Sequence, residues 1–194
     1  FRKVQDRYGE RSKRLSGEGW DKPWKTLIVT IMSAQSRDET TIPIAQRLFK
    51  RYGSLEKLAI AKISDILSIF RSLNYNRTKA KNVIAAARYI RDEFAGKVPE
   101  KIDELMKIPG VGRKTANLIR WECFGEHGIT VDTHVHRISN VLGFVKTKTP
   151  HETEIALEKV VPKKYWGKVN RMFVLWGKEC PGRDKEKLLR HLGS

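Results

Sequence analysis

A chain of 194 residues and 22.4 kDa has room for one sizeable core or two small ones, and 40% hydrophobic with 31% charged residues is a soluble globular composition. Lys and Arg number 39 against 22 acidic residues, a net charge of +17 that makes a polyanion the expected partner, nucleic acid before membrane. No apolar run reaches the ~20 residues that cross a bilayer, the N-terminal residues given show no signal-peptide pattern, and two cysteines, Cys123 and Cys180, make no disulfide framework and fit a reducing compartment.

Residues 1–24 are polar and basic, with Arg2, Lys3, Arg7, Arg11, Lys13 and Arg14, and are expected to form a solvated helix face or a frayed arm. The segment Leu27-Ile28-Val29-Thr30-Ile31-Met32 has the β-branched content of a strand. No second run exists to pair with it, so a buried helix is expected. Thr40–Tyr52 sets Ile42, Ala45, Leu48 and Phe49 on one helical face, stopped by Gly53. Ser54 and Ser64 are placed to cap short helices over 55–59 and 65–70. Asn74-Tyr75-Asn76 reads as a loop. Thr78 is then expected to cap a long helix with Ala80, Val83, Ile84, Ala87, Ile90 and Phe94 at helical spacing, ending at Gly96.

Lys101–Lys107, with Ile102, Leu105 and Met106 apolar, predicts a short amphipathic helix that Pro109 ends. Gly110 and Gly112 are expected to give a tight turn with positive φ and an uncovered backbone. A second helix runs from Arg113 through Ala116, Leu118, Ile119 and Trp121 to Gly125. Two helices joined by a Gly-Val-Gly turn aim amide N–H groups outward at a helix start, a site suited to a phosphate. Taken alone, the same letters also fit a hairpin whose glycines only allow close packing.

Asp132 stands before a helix carrying Val135, Ile138 and Leu142 and ending at Gly143, an N-cap worth about 1 kcal/mol. His134 and His136, at i and i+2, point to different faces and make a poor metal pair. Thr149-Pro150-His151-Glu152 is a capping box opening a helix to about residue 160. Residues 165–177 form the last strong helix, and Asp184–Leu192, with an acidic cap and adjacent Leu188 and Leu189, form a short one. The fold class is all-α, with about ten short helices.

Pro109-Gly110-Val111-Gly112-Arg113-Lys114-Thr115-Ala116, followed by Val131-Asp132-Thr133-His134, resembles the signature of the endonuclease III family of DNA glycosylases, and its first part resembles the helix-hairpin-helix motif. The resemblance covers nearly the whole chain. It implies two helical lobes, one of residues 21–126 ending in the hairpin and one built from residues 1–20 and 127–194, with DNA in the groove between them. It implies a bifunctional DNA glycosylase and apurinic/apyrimidinic (AP) lyase of base excision repair, acting on damaged, oxidised pyrimidines in duplex DNA or on abasic sites. A soluble monomer with no membrane partner, working in the cytoplasm or nucleus, is expected.

By the same resemblance Lys114 is the catalytic nucleophile. A lysine attacks only as the free amine, which requires desolvation or cationic neighbours such as Arg113; without the resemblance Lys114 reads as a phosphate contact. Asp132 is the family's catalytic carboxylate, which helps activate the lysine and stabilises positive charge on the sugar. Gly110, Val111, Gly112, Arg113 and His134 are expected on the DNA. Gln35 and Tyr75 match the positions that fill the gap left by a flipped nucleotide, Tyr75 by stacking on bases. Asp38 matches a position near the lesion pocket, and equally well caps a helix before Thr40.

The resemblance fails at the C-terminus. Many relatives hold a 4Fe–4S cluster on cysteines spaced C-x6-C-x2-C-x5-C; Cys180 matches the first, but the next two positions are Lys187 and Arg190. One thiol cannot hold such a cluster, so no metal and no cofactor are expected, and both cysteines read as small buried side chains. Two other functions stay open: a monofunctional mismatch glycosylase for thymine or uracil, which usually has a different residue, often tyrosine, where Lys114 stands, and a helix-hairpin-helix protein that only binds DNA.

Overall fold

Pro23 starts α2 (Pro23–Ser33), and every residue on it from Thr26 to Met32 is buried. A helix apolar on all sides belongs in the middle of a core. Its two interior threonines fit because Thr30 Oγ1 donates to the Thr26 carbonyl at 2.7 Å. The computed structural model describes residues 1–9, 14–125 and 128–193, all-α as expected and without a strand among them. Twelve α-helices and one 3-10 turn appear there, and none is long and apolar enough to cross a membrane. The chain divides into two compact units, Arg14–Phe124 and Phe1–Lys13 with Gly125–Ser194.

In the continuous unit α2 packs against α3 (Asp38–Arg51), α6 (Asn76–Glu93) and α8 (Arg113–Phe124). The shorter α4 (Leu55–Ala59) and α5 (Ile63–Ile69) lie on α6, and α7 (Ile102–Leu105) pairs with α8. Ala80, Ala86 and Ala87 on α6 are fully buried, small enough to let helices approach closely. Ser54 caps α4 as expected, its side chain accepting from Lys57 N–H.

Two expected starts differ. The helix read from Ser64 begins at Ile63 after Lys62, so Ser64 lies inside α5. The one read from Thr78 begins at Asn76, behind Tyr75 in the left-handed region at φ 54°. In both cases the serine or threonine that looked like a cap sits in the first turn. Arg14–Trp20 pack with this unit, although the sequence had placed residues 1–20 with the chain-end lobe. Trp20 meets Phe49 edge-on at 5.1 Å, and the Arg14 guanidinium lies 4.5 Å over the Trp20 ring. Arg11 and Lys13, and the expected boundary at 126–127, lie outside the described residues.

The second unit is built on α11 (Trp166–Glu179), whose Val169, Met172, Phe173 and Trp176 are fully buried. α1 (Arg2–Tyr8) and α9 (Thr133–Val141) pack against it, α10 (Pro150–Val160) lies on α9, and a 3-10 turn at Lys163–Tyr165 leads into α11. The chain start is no frayed arm. Phe1 stacks on Phe144, Tyr165 and Phe173, with centroids 5.4, 6.0 and 5.9 Å away, and Val4 and Tyr8 are buried. Thr149 caps α10 as read from the sequence, accepting from Glu152 N–H at 3.2 Å. α12 (Lys185–Gly193) forms behind Asp184, whose carboxylate accepts from Lys187 N–H. Of its paired leucines, Leu188 is buried and Leu189 is half exposed.

Candidate active site and nucleic-acid interface

Between α7 and α8 the backbone makes a chain of tight turns, with Ile108 N–H donating to Leu105 O and Val111 N–H to Ile108 O. Gly110 adopts φ +82°, a conformation that side-chain-bearing residues avoid. Gly112 is not in the positive-φ region, a departure from the expectation that both glycines would be. Its role is spatial: a Cβ added there would meet nothing within 4 Å, so its backbone stands open to an approaching group. The first bond of α8 runs from Ala116 N–H to the Gly112 carbonyl, and a helix start directs its first-turn N–H groups outward along the axis. Gly110 and Gly112 are exposed. Val111 faces the other way, its side chain buried and its N–H spent on the turn, so it anchors the hairpin where the sequence had placed a DNA contact.

Lys114 is the second residue of α8 and is exposed, one position beyond half-buried Arg113. Cys123, farther along the same helix, is no competing nucleophile, because burial pushes its thiol up to about 11.

On another edge of this unit two turns stand side by side. Gln35, after α2, has φ 52°, and Tyr75, before α6, has φ 54°. Both side chains are exposed. The Asn74 side-chain amide donates to the Gln35 carbonyl at 2.8 Å. Lys79 lies behind them, 4% exposed, with its ammonium donating to Ser36 Oγ at 2.7 Å, and burial lowers it to about 8. Sequence reading missed Lys79, yet the signal was there: it falls on the stripe Val83, Ala86 and Ile90, at core spacing. Asp38 is the first residue of α3 and not its N-cap, which is Arg37. Its carboxylate accepts from Ser16 N–H at 3.0 Å and Ser16 Oγ at 2.6 Å, holding the Arg14–Trp20 segment.

In the second unit Asp132 caps α9 as read from the sequence. One oxygen, Oδ1, accepts from both His134 and Val135 N–H at 2.9 Å, which fixes the carboxylate plane and leaves Oδ2 outside the cap. His134 is half-buried beneath Gly177, so close that a Cβ there would lie 2.2 Å from its ring. His136 contacts Thr153 Oγ1 at 2.6 Å. The two rings have different neighbours, and among the described residues no group of three or more His, Cys, Asp or Glu could hold a metal. Cys180 is buried at the end of α11, and Lys187 and Arg190 ride on α12, so the residues present do not fit a 4Fe–4S cluster. The loop after α11 is held instead by the Arg137 guanidinium, which donates to the carbonyls of Gly177, Cys180 and Gly182.

Residues 28–163 match the HhH-GPD superfamily of base excision DNA repair proteins. The chain is 43% identical over 156 residues to endonuclease III of Thermotoga maritima, covering 80% of this chain and 73% of that one. Its fold superposes on a non-covalent endonuclease III–DNA complex with a TM-score of 0.87 at 30% identity, covering 97% and 90% of the two chains. A trapped endonuclease III–DNA covalent intermediate gives 0.86 at 31% identity, covering 94% and 85%. A hairpin with an open glycine backbone and an exposed lysine, and an aspartate fixed at a helix start, are thus features of a chain that belongs to the endonuclease III family of DNA glycosylases with AP lyase activity, in base excision repair.

Proposed function

We propose that Lys114 is the nucleophile and that the substrates are oxidised pyrimidines, and abasic sites, in duplex DNA. The observation that carries this is an exposed amine on the first turn of α8, immediately after a turn whose open Gly112 backbone can receive a phosphate. A sugar-phosphate seated there brings C1′ within reach and removes water from the amine, which favours its neutral form.

Lys114 Nζ forms a bond to C1′ as the N-glycosidic bond breaks, and the base leaves with the electron pair and takes up a proton. Sugar-ring opening gives the Schiff base. Loss of a 2′ proton then expels the 3′ phosphate, and water returns the free amine. Asp132, its carboxylate fixed by two amides, assists deprotonation of the amine and balances positive charge on the sugar. Gln35 and Tyr75, exposed and conformationally fixed, fill the space the flipped nucleotide leaves. No step needs a metal. The protein acts without an iron–sulfur cluster, a reading supported by Lys187 and Arg190 at the second and third ligand positions, and it acts as a monomer.

Borohydride trapping on duplexes carrying an oxidised pyrimidine, an oxidised purine or a thymine–guanine mismatch tests nucleophile and substrate together. Lys114→Gln should abolish trapping and nicking while affinity stays within a few fold, because the hairpin backbone is unchanged. A surviving covalent adduct would assign the chemistry to another amine, and preferential trapping on the mismatch would overturn the substrate class.

A further inference from the structure

We propose that Lys79 is a positioning residue that locks the Gln35 and Tyr75 turns to each other, so that the two gap-filling side chains act as one preformed wedge. This rests on the gap-filling reading above.

Lys79 is joined to both turns at once. Its side-chain ammonium donates to Ser36 Oγ at 2.7 Å, next to Gln35. Its backbone N–H donates to the Tyr75 carbonyl at 3.0 Å, the first bond of α6. The Asn74 amide, bonded to the Gln35 carbonyl at 2.8 Å, completes a ring of contacts around the two strained residues. Non-glycine residues in the left-handed region cost of order 1–2 kcal/mol each and persist only where their surroundings hold them. Here two stand side by side, and both carry exposed side chains.

The fold itself has no use for an ammonium at this position. Val83, Ala86 and Ile90 continue the same stripe with apolar side chains, and a methionine would fill the space of Lys79 without desolvating a charge. What lysine adds is reach and a donor: a four-carbon stem lying in the core with its head on the neighbouring turn. A wedge assembled in advance spares the ordering of two loops when the duplex opens, so the benefit falls on base removal from duplex and not on capture of DNA in general.

Lys79→Met keeps the volume and removes the bond to Ser36, and Ser36→Ala removes the same bond from the surface side. Each should slow single-turnover processing of a lesion in duplex at least tenfold. Each should leave affinity for undamaged duplex within twofold and trapping on a single-stranded abasic oligonucleotide, where no opposite base needs replacing, unchanged; Lys79→Met should not lower the thermal midpoint, whereas Ser36→Ala should lower it by leaving a buried ammonium without its acceptor. 2-Aminopurine opposite an abasic analogue should lose its bound-state fluorescence change in both variants. The double variant should be no slower than either single one. If Lys79→Met fails to fold, Ser36→Ala carries the test alone. Equal loss on duplex and single strand, or no loss on duplex, overturns the inference. Gln35→Ala and Tyr75→Ala keep the two readings apart: if they process duplex normally the gap-filling role fails, and if they are slow while Ser36→Ala and any folded Lys79→Met are fast, only the coupling through Lys79 fails.

Discussion

Gly110 stands so close to Asn82 of α6 that a Cβ added to the glycine would lie 2.9 Å from the Cβ of the asparagine. The hairpin turn is therefore seated on the long helix of its own unit, and its aim depends on that seat. Gly110→Ala meets both this collision and an unfavourable φ of +82°, and should destabilise the protein by about 1–3 kcal/mol while weakening DNA binding. Gly112→Ala meets no protein atom, so its thermal midpoint should stay near wild type while affinity for duplex falls, because the new methyl group occupies the approach to the backbone. Thermal melts and equilibrium binding on the pair separate the two glycines. If Gly112→Ala binds normally, the phosphate sits elsewhere.

Asp132 has two duties that substitution can divide. Asp132→Asn keeps an N-cap acceptor for His134 and Val135 N–H and should cost little stability, whereas Asp132→Ala should lose about 1 kcal/mol. Both should reduce single-turnover base removal by orders of magnitude. An asparagine variant that melts early and turns over normally would make the carboxylate structural.

Lys79 makes stability depend on alkali. Burial holds it at about 8, below the ordinary 10.5 it regains on unfolding, so between these values the unfolded chain binds more protons and stability rises with pH. Below pH 8 the cost of the buried charge is present in full. Lys79→Met should therefore be most favourable relative to wild type near pH 7, with the advantage shrinking towards pH 10. Tyr8 works in the opposite sense, since burial and its bond to Glu179 push it up to about 12, and its contribution is lost as pH rises through that value. Comparing the midpoint difference between wild type and Lys79→Met across pH removes the Tyr8 effect, and a constant difference would contradict a depressed lysine.

The two leucines of α12 should not behave alike. Leu188→Ser should cost about 1.5–3 kcal/mol, the value of a fully buried leucine, while Leu189→Ser, on a half-exposed residue, should cost well under 1 kcal/mol. The purified protein should be colourless. Stoichiometric iron would overturn the absence of a cluster, and two leucine variants of equal stability would overturn the unequal burial of the pair.

The helices were legible because their apolar residues recur at helical spacing, and Ser54, Asp132 and Thr149 were legible as caps because their oxygens have one obvious use there. Ser64 and Thr78 look the same in sequence and lie inside helices, because Lys62 and Tyr75 start those helices earlier with no capping side chain. The signature spacing pointed to Lys114 and Asp132. Lys79 escaped because a charged residue at a core position reads as the outer edge of the stripe. The inward turn of Val111 depends on how the hairpin lies on its unit, which no local pattern records.

Tyr8 of α1 hydrogen-bonds Glu179 of α11 across 171 residues of chain, and the same carboxylate meets His191 of α12. The unit Arg14–Phe124 is continuous, so a ribosome can release it ready to fold, with hairpin and wedge in place, while the rest is still being made. The opening helix must wait for α11 before it has anything to pack on, and so long a closure is slow to form. During synthesis the half bearing Lys114 is thus complete well before the half bearing Asp132.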